Sequence, residues 1–350
     1  MRSIPGLRQA GTSARWPGVA LLTAVLLALL GAGAGADQNP SIPVVDLHVD
    51  LPYQLGFHGK PLRQGTGQAS LDALQRGRVT GVVLPLFVPR DVSPTGPRSI
   101  DLEQSYFRVL AELFSGEGLA PPGCGKTNGV STWLAFEGAG PIADAPESLT
   151  AWVARGVRVV GLVHTEHNAL ASSSGDAHAV SYGLTASGRD VVRRAHALGV
   201  PVDVSHASDR AVSDVLALSQ ETKGVVVATH SNARKLADHP RNLTDEQLRG
   251  IAATGGVVGL NFHSAFVLRG RPATLKDVVQ QALYMLRIAG HDHVALGADF
   301  EGGISPARGL EDASRLPDLQ RALRKAGLAE AVLRKLFSEN ALRVLCRSGK

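Results

Sequence analysis

Eight short apolar runs, rich in β-branched residues, recur along this chain and are separated by segments of helical periodicity. They are "VVDLHVD" (44–50), "VTGVVLPLFV" (79–88), "WLAFEG" (133–138), "VRVVGLVH" (157–164), "PVDVSH" (201–206), "GVVVATH" (224–230), "GGVVGLNF" (255–262) and "HVALGADF" (293–300). Near-continuous apolar strands belong to a parallel sheet covered on both faces, and parallel neighbours need a crossover between them. Eight such alternations predict a (β/α)8 TIM barrel, with an open doubly wound sheet as the competing arrangement. The segments between them read as helices. In "LTASGRDVVRRAHALG", Val191, Val192, Ala195 and Leu198 recur at helical spacing and Gly199 gives a stop. Thr244 and Gln247 form a capping box that opens "DEQLRGIAATG".

A barrel of this kind makes a demand: its chemistry sits at the C-terminal ends of the strands. His48 and Asp50 end the first run, Glu137 the third, His164 the fourth, His206 the fifth, His230 the sixth and Asp299 the eighth. Six of the eight runs thus close on ionisable side chains that converge on one mouth. Burying four imidazoles with three acids leaves like charges unpaired, which a divalent cation relieves. His48, Asp50, Glu137, His206 and His230 are five donors, too many for one catalytic zinc and suited to two if a carboxylate bridges. Two ions about 3.5–4 Å apart can share a hydroxide and polarise a carbonyl. Alternate residues of a strand share a face, so Asp46, His48 and Asp50 are expected on one side, with Asp46 deeper and orienting a ligand histidine.

The first 36 residues read as a separate element. Arg2, Arg8 and Arg15 precede the apolar stretch "GVALLTAVLLALL", which ends in "AGAGA" before Asp37. This is the pattern of a cleavable secretory signal peptide, and it predicts an exported protein, periplasmic or extracellular; an uncleaved N-terminal anchor is the alternative. The 37–350 remainder is expected to be one domain. The leader holds three Arg and no acid, so the formal charge falls from +5 to +2 without it. No basic run interleaved with aromatics is present, which argues against nucleic acid as a partner. Cys124 and Cys346 are the two cysteines; export permits a disulfide, and spacing alone leaves bridge and free thiols open.

At this point the residues resemble those of the membrane dipeptidase family, the renal dipeptidase type of zinc peptidase. The resemblance spans nearly the whole chain after the leader, through "VVDLHVDLP", "LAFEGAG", "LVHTEHNALASSS", "GLTASGRDVVRRAHALGVPVDVSHAS", "VVVATHSNARKLADHPRNLTDEQL", "GGVVGLNF" and "HVALGADFEG". It implies a zinc-dependent dipeptidase with two Zn ions: His48 and Asp50 on one, His206 and His230 on the other, and Glu137 bridging. By the same resemblance His164 steadies the tetrahedral intermediate, Arg241 binds the substrate's terminal carboxylate, and Asp299 orients the attacking water and handles its proton. A dipeptide is the implied partner, with acceptance of a C-terminal D residue left open, and a homodimer the implied assembly. Two positions depart from the family pattern: Glu301 stands where an Asp is expected and Val163 where a Thr is expected.

Other functions are compatible with such a mouth: an amidohydrolase acting on N-acyl amino acids or related amides, or an exported binding protein without turnover. The basic C-terminus "NALRVLCRSGK" is too short and too charged for a lipid-anchor signal. "HDH" (291–293) precedes the last strand and is expected at the opposite end of the barrel. His58, His167, His178, His239 and His263 fall in or near mouth loops, where a histidine is usually solvated.

Overall fold

The computed structural model describes residues 41–59, 67–88, 106, 110–111, 118–125 and 127–347. The leader lies outside these residues. No helix among the described residues is long and apolar enough to cross a membrane.

Each of the eight runs forms a strand: β1 (Val44–Asp46), β2 (Val79–Leu86), β4 (Val130–Glu137), β5 (Val157–Gly161), β6 (Val202–Asp203), β7 (Val226–Val227), β8 (Val258–Leu260) and β9 (Val294–Leu296). All pair in parallel in the order β7-β6-β5-β4-β2-β1-β9-β8. A parallel bridge between Ala228 and Val258 joins the two ends, so the sheet closes into the (β/α)8 barrel and the doubly wound alternative is ruled out. A further short strand, β3 (Leu119–Pro122), pairs on the outside of β4. The helices include α1 (Leu51–His58), α2 (Leu71–Arg76), α3 (Leu149–Ala154), α4 (Ala186–Ala197), α5 (Asp209–Thr222) and α6 (Asp245–Ala253). After them come α7 (Ser264–Val267), α8 (Leu275–Ala289), α9 (Leu316–Lys325), α10 (Glu330–Arg334) and α11 (Asn340–Leu345).

Local signals were obeyed where they were strongest. Val191, Val192 and Ala195 of α4 are fully buried, and Gly199 takes φ 73°, a conformation that ends the turn without a Cβ penalty. The Thr244–Gln247 capping box is formed in both directions. Apolar residues separate into two layers. One packs between sheet and helices; the other gathers Val45, Leu47, Val83, Trp133, Ala135, Val159, Val227 and Ala295 with Ala341, Val344 and Leu345 of α11. Helix α11 therefore packs against the strand residues of this inner layer. Cys124 and Cys346 form a disulfide that ties the β3–β4 loop to the end of α11, resolving the open cysteine question. Trp133 Nε1 also donates to Cys124 Sγ at 3.2 Å. Closing a loop of 222 residues restricts the unfolded chain by about 5.4 kcal/mol in the chain-entropy account.

His196 of α4 is buried, with Nδ1 2.6 Å from Thr222 Oγ1 at the end of α5. Burial pulls its imidazole down to about 4. A depressed histidine is neutral in the folded state, so the unfolded chain binds the extra proton first. Stability from this group is complete above about pH 6.5 and is lost as pH falls toward 4. At pH 5 this loss amounts to roughly 2 kcal/mol. Urea unfolding at pH 7 and pH 5 checks it: the drop in the wild type shrinks by that amount in His196→Gln. An equal drop in both proteins assigns the acid sensitivity elsewhere.

Candidate metal centre

Every strand stops before its apolar run does, and this shapes the site. His164, His206, His230 and Asp299 each lie three residues past the last strand residue, after β5, β6, β7 and β9. At His206 and Asp299 the backbone reaches φ 66°, which turns the chain inward over the mouth. The His206 turn is held by its own carbonyl, which accepts from Ser174 N at 2.7 Å, Ser174 Oγ at 3.0 Å and Ser173 Oγ at 3.2 Å. Strand β1 stops at Asp46 and the chain bends before His48. Regular alternation across Asp46, His48 and Asp50 therefore does not hold. Asp46 Oδ1 accepts the backbone N–H groups of His48 and Ala298, both at 3.0 Å, so it fixes the bend through the main chain rather than by contacting a ligand imidazole.

Glu137, the last residue of β4, stands at the centre. Its Oε1 lies 3.3 Å from His48 Nε2, 3.1 Å from His206 Nε2, 3.6 Å from His230 Nε2 and 3.8 Å from His164 Nε2. His206 Nε2 and His230 Nε2 are 2.9 Å apart, and His48 Nε2 is 3.5 Å from Asp50 Oδ2. The five residues singled out as metal ligands are thus in one cluster, and all are buried. Three sets could each hold an ion: His48, Glu137 and His230; Glu137, His164 and His206; and His48, Asp50 and Asp299. Buried His48 Nε2, Asp50 Oδ2 and His206 Nδ1 have no hydrogen-bond partner among the described residues. A donor set of imidazole nitrogens and carboxylate oxygens with unspent lone pairs fits divalent transition metals.

The electrostatics point the same way. Burial, with Asp50 and Glu137 close by and His48 opposing, pushes the Asp299 carboxyl up to about 7. Burial likewise raises Asp50 to about 6 against the pull of His48. His206 and His230 are held well below the usual imidazole range, first by burial and then by neighbouring positive groups. Glu137 and His48 go the other way: against burial, His48 and His164 hold the Glu137 carboxyl well below its usual range, and against burial, Glu137 and Asp50 hold the His48 imidazole well above its own. Buried acids and imidazoles whose protonation depends on one another are an arrangement a cation resolves.

Around this cluster lie the other residues expected at the mouth. His164 is partly open, its ring 4.2 Å from that of Phe87. Burial, reinforced by Arg241, lowers its imidazole and keeps it neutral. Arg241 is buried with its guanidinium 5.5 Å over the Phe266 ring and Nη2 3.4 Å from the His230 carbonyl. Among the described residues it forms no salt bridge. Asp299 accepts from Asn261 Nδ2 at 2.9 Å. Asn261 closes the seventh run and does not ionise, so it stands outside the set of ionisable strand ends. The rule that found the histidines, a polar residue closing an apolar strand, also marks it.

Glu301 and Val163 each have a defined place in the structure. Glu301 Oε1 accepts from Ala69 N at 2.8 Å, its N–H donates to Gln68 Oε1 at 2.9 Å and its carbonyl accepts from Gln54 Nε2 at 2.5 Å. The longer side chain thus reaches across to the 67–69 loop. Gly67 leaves room for it, since a Cβ there would fall 2.2 Å from Glu301 Oε1. Val163 is buried in the core layer between sheet and helices. His239 and His263 line a cleft of about 690 Å³ with Arg269 and Arg271, and none of the clustered residues lines it. His293 Nδ1 is 2.8 Å from the Gly256 carbonyl at the entry of β9, away from the mouth.

A (β/α)8 barrel whose strand ends gather imidazoles around a carboxylate defines a metal-dependent hydrolase. The chain belongs to the membrane dipeptidase family, peptidase family M19, whose sequence model matches residues 39–348. It is a metallopeptidase of that family. It is 41% identical over 218 residues to an uncharacterized protein of the pqqA 5′ region of Klebsiella pneumoniae, covering 60% of this chain and 79% of that one. Among solved structures it is similar to dipeptidase AC, an M19 metallopeptidase, at 29% identity and TM-score 0.75, covering 89% of this chain and 100% of that chain. It is also similar to a Rhodobacter sphaeroides metallopeptidase liganded with a phosphinate mimic of L-Ala-D-Ala, at 28% identity and TM-score 0.76, covering 88% and 99%.

Proposed function

We propose that this protein is an exported zinc dipeptidase that hydrolyses dipeptides with a free C-terminal carboxylate, including those ending in a D residue. The observation that carries the reading is the meeting of three imidazole Nε2 atoms on Glu137 Oε1 at 3.1–3.6 Å. His48 and Asp50 would hold one zinc, His206 and His230 the second, with Glu137 shared. Bound there, the two ions would polarise the scissile carbonyl and lower the pKa of a water.

The remaining steps fall to the chain. Arg241, a buried guanidinium with no salt bridge among the described residues, takes the substrate's terminal carboxylate as a charge-assisted pair. His164 stays neutral and donates its N–H to the developing oxyanion. Asp299, oriented by Asn261, takes the proton of the attacking water and passes it to the leaving amine. The L-Ala-D-Ala mimic bound by the Rhodobacter sphaeroides protein supports the dipeptide class and acceptance of a D residue.

Metal removal tests the reading. Chelator-stripped protein is expected to be inactive, and activity is expected to return in proportion to zinc added up to two equivalents per chain. Full recovery at one equivalent contradicts the two-ion centre, and undiminished activity after stripping contradicts the metal mechanism.

A further inference from the structure

His48 and His230 follow different strands, β1 and β7, yet their Nδ1 atoms meet at one hydroxyl. Thr229 Oγ1 lies 2.9 Å from His230 Nδ1, 3.4 Å from His48 Nδ1 and 2.5 Å from Asp203 Oδ2. Proton bookkeeping sets the directions. A hydroxyl has one proton to donate and two lone pairs to accept with. Its shortest contact is the Asp203 carboxylate, whose Oδ1 already accepts the N–H groups of Ser205 at 2.8 Å and Thr229 at 3.0 Å. Thr229 therefore donates to Asp203, and its lone pairs face the imidazoles. Both Nδ1 atoms then carry hydrogen, which leaves both Nε2 atoms for the ions that Glu137 would share.

The hydroxyl is held firmly. Thr229 and His230 are buried, and His230 N also donates to Ser205 Oγ at 3.2 Å; with both Thr229 lone pairs on the imidazoles, the Ser205 hydroxyl at 3.3 Å is a contact and not a further hydrogen bond. The Thr229 carbonyl sits between Gly259 and Gly297, where a Cβ on either would approach within 1.8 and 1.7 Å. Those glycines admit the backbone and leave the threonine little freedom to rotate away.

We propose that Thr229, anchored by Asp203, is a positioning residue that fixes the tautomer and ring orientation of His48 and His230 together, and so couples the two metal positions. This rests on the two-metal reading above. Separate orienting groups would allow one position to weaken while the other held. A shared hydroxyl makes both weaken at once.

The test replaces Thr229 by Val, which keeps the shape and removes the hydroxyl, and by Ser, which restores it. Zinc affinity measured by chelator competition is expected to fall about 10–100-fold at both positions in Thr229→Val and to recover in Thr229→Ser. Asp203→Asn provides a second route if the Val variant does not fold, because an amide can donate to the hydroxyl and free its proton for an imidazole; the same paired loss is expected. Long-range 1H–15N spectra of the metal-free wild type give a readout independent of zinc. They are expected to show hydrogen on Nδ1 of both His48 and His230. Either Nδ1 without hydrogen overturns the proposal, as does unchanged affinity in both variants or loss at one position alone. A wild type that shows hydrogen on both Nδ1 atoms but binds no zinc instead counts against the metal-centre reading.

Discussion

Asp299→Asn is expected to keep both metals and lose about a thousandfold in kcat, in the middle of the range for removing a positioned general base and acid. Asparagine matches the shape and can accept through its amide oxygen from Asn261 Nδ2, which now holds Asp299 Oδ2 at 2.9 Å. What it cannot do is take and return a proton. Affinity for a substrate mimic and zinc content should therefore stay near wild type while turnover collapses, the split that separates proton transfer from structural damage. Metal analysis beside steady-state kinetics checks it. Near-normal kcat removes Asp299 from the proton path, whereas loss of zinc makes it a ligand, consistent with its place beside His48 and Asp50.

Arg241→Met should lower kcat/KM for free dipeptides by about two to three orders of magnitude, equivalent to roughly 3–4 kcal/mol, as expected when one partner of a buried charge pair is removed. Methionine fills the space over Phe266, where the guanidinium now stacks at 5.5 Å, so packing is largely kept. Discrimination is the sharper readout. A guanidinium reading a carboxylate favours the free acid over its amide, and the variant should lose that preference. If wild type and variant lose rate equally on acid and amide, Arg241 supports the loop instead of the substrate.

Much of this molecule was legible because parallel barrel strands are buried on both faces, and burial leaves an apolar signature. All eight runs became strands, although β6 and β7 keep only two residues in the ladder. Their remaining residues turn inward, and that turning carries His206 and His230 over the mouth. Ionisable side chains at strand ends were conspicuous against apolar neighbours, so the central cluster could be named from the sequence. Thr229, Asp203, Asn261 and the Ser173–Ser174 pair could not. Each is a common polar residue whose role depends on which backbone or imidazole lies within about 3 Å, and only the closed barrel sets that. Asp46 shows the converse. Its pattern suggested contact with a ligand imidazole, but strand β1 ended under it and its carboxylate went to backbone N–H groups instead. The disulfide, too, depended on α11 returning to the β3–β4 loop, which spacing does not encode.

The most direct test of the account is a hydrolysis panel on the zinc-loaded protein: L,L and L,D dipeptides, their C-terminal amides, a tripeptide and an N-acetyl amino acid. Cleavage of the free dipeptides, with the amides cut at least about a hundredfold more slowly, is the result a buried, carboxylate-reading Arg241 predicts. Turnover of the N-acetyl amino acid alone, or amides cut as fast as acids, would contradict the dipeptidase reading while leaving the barrel and its metal centre standing.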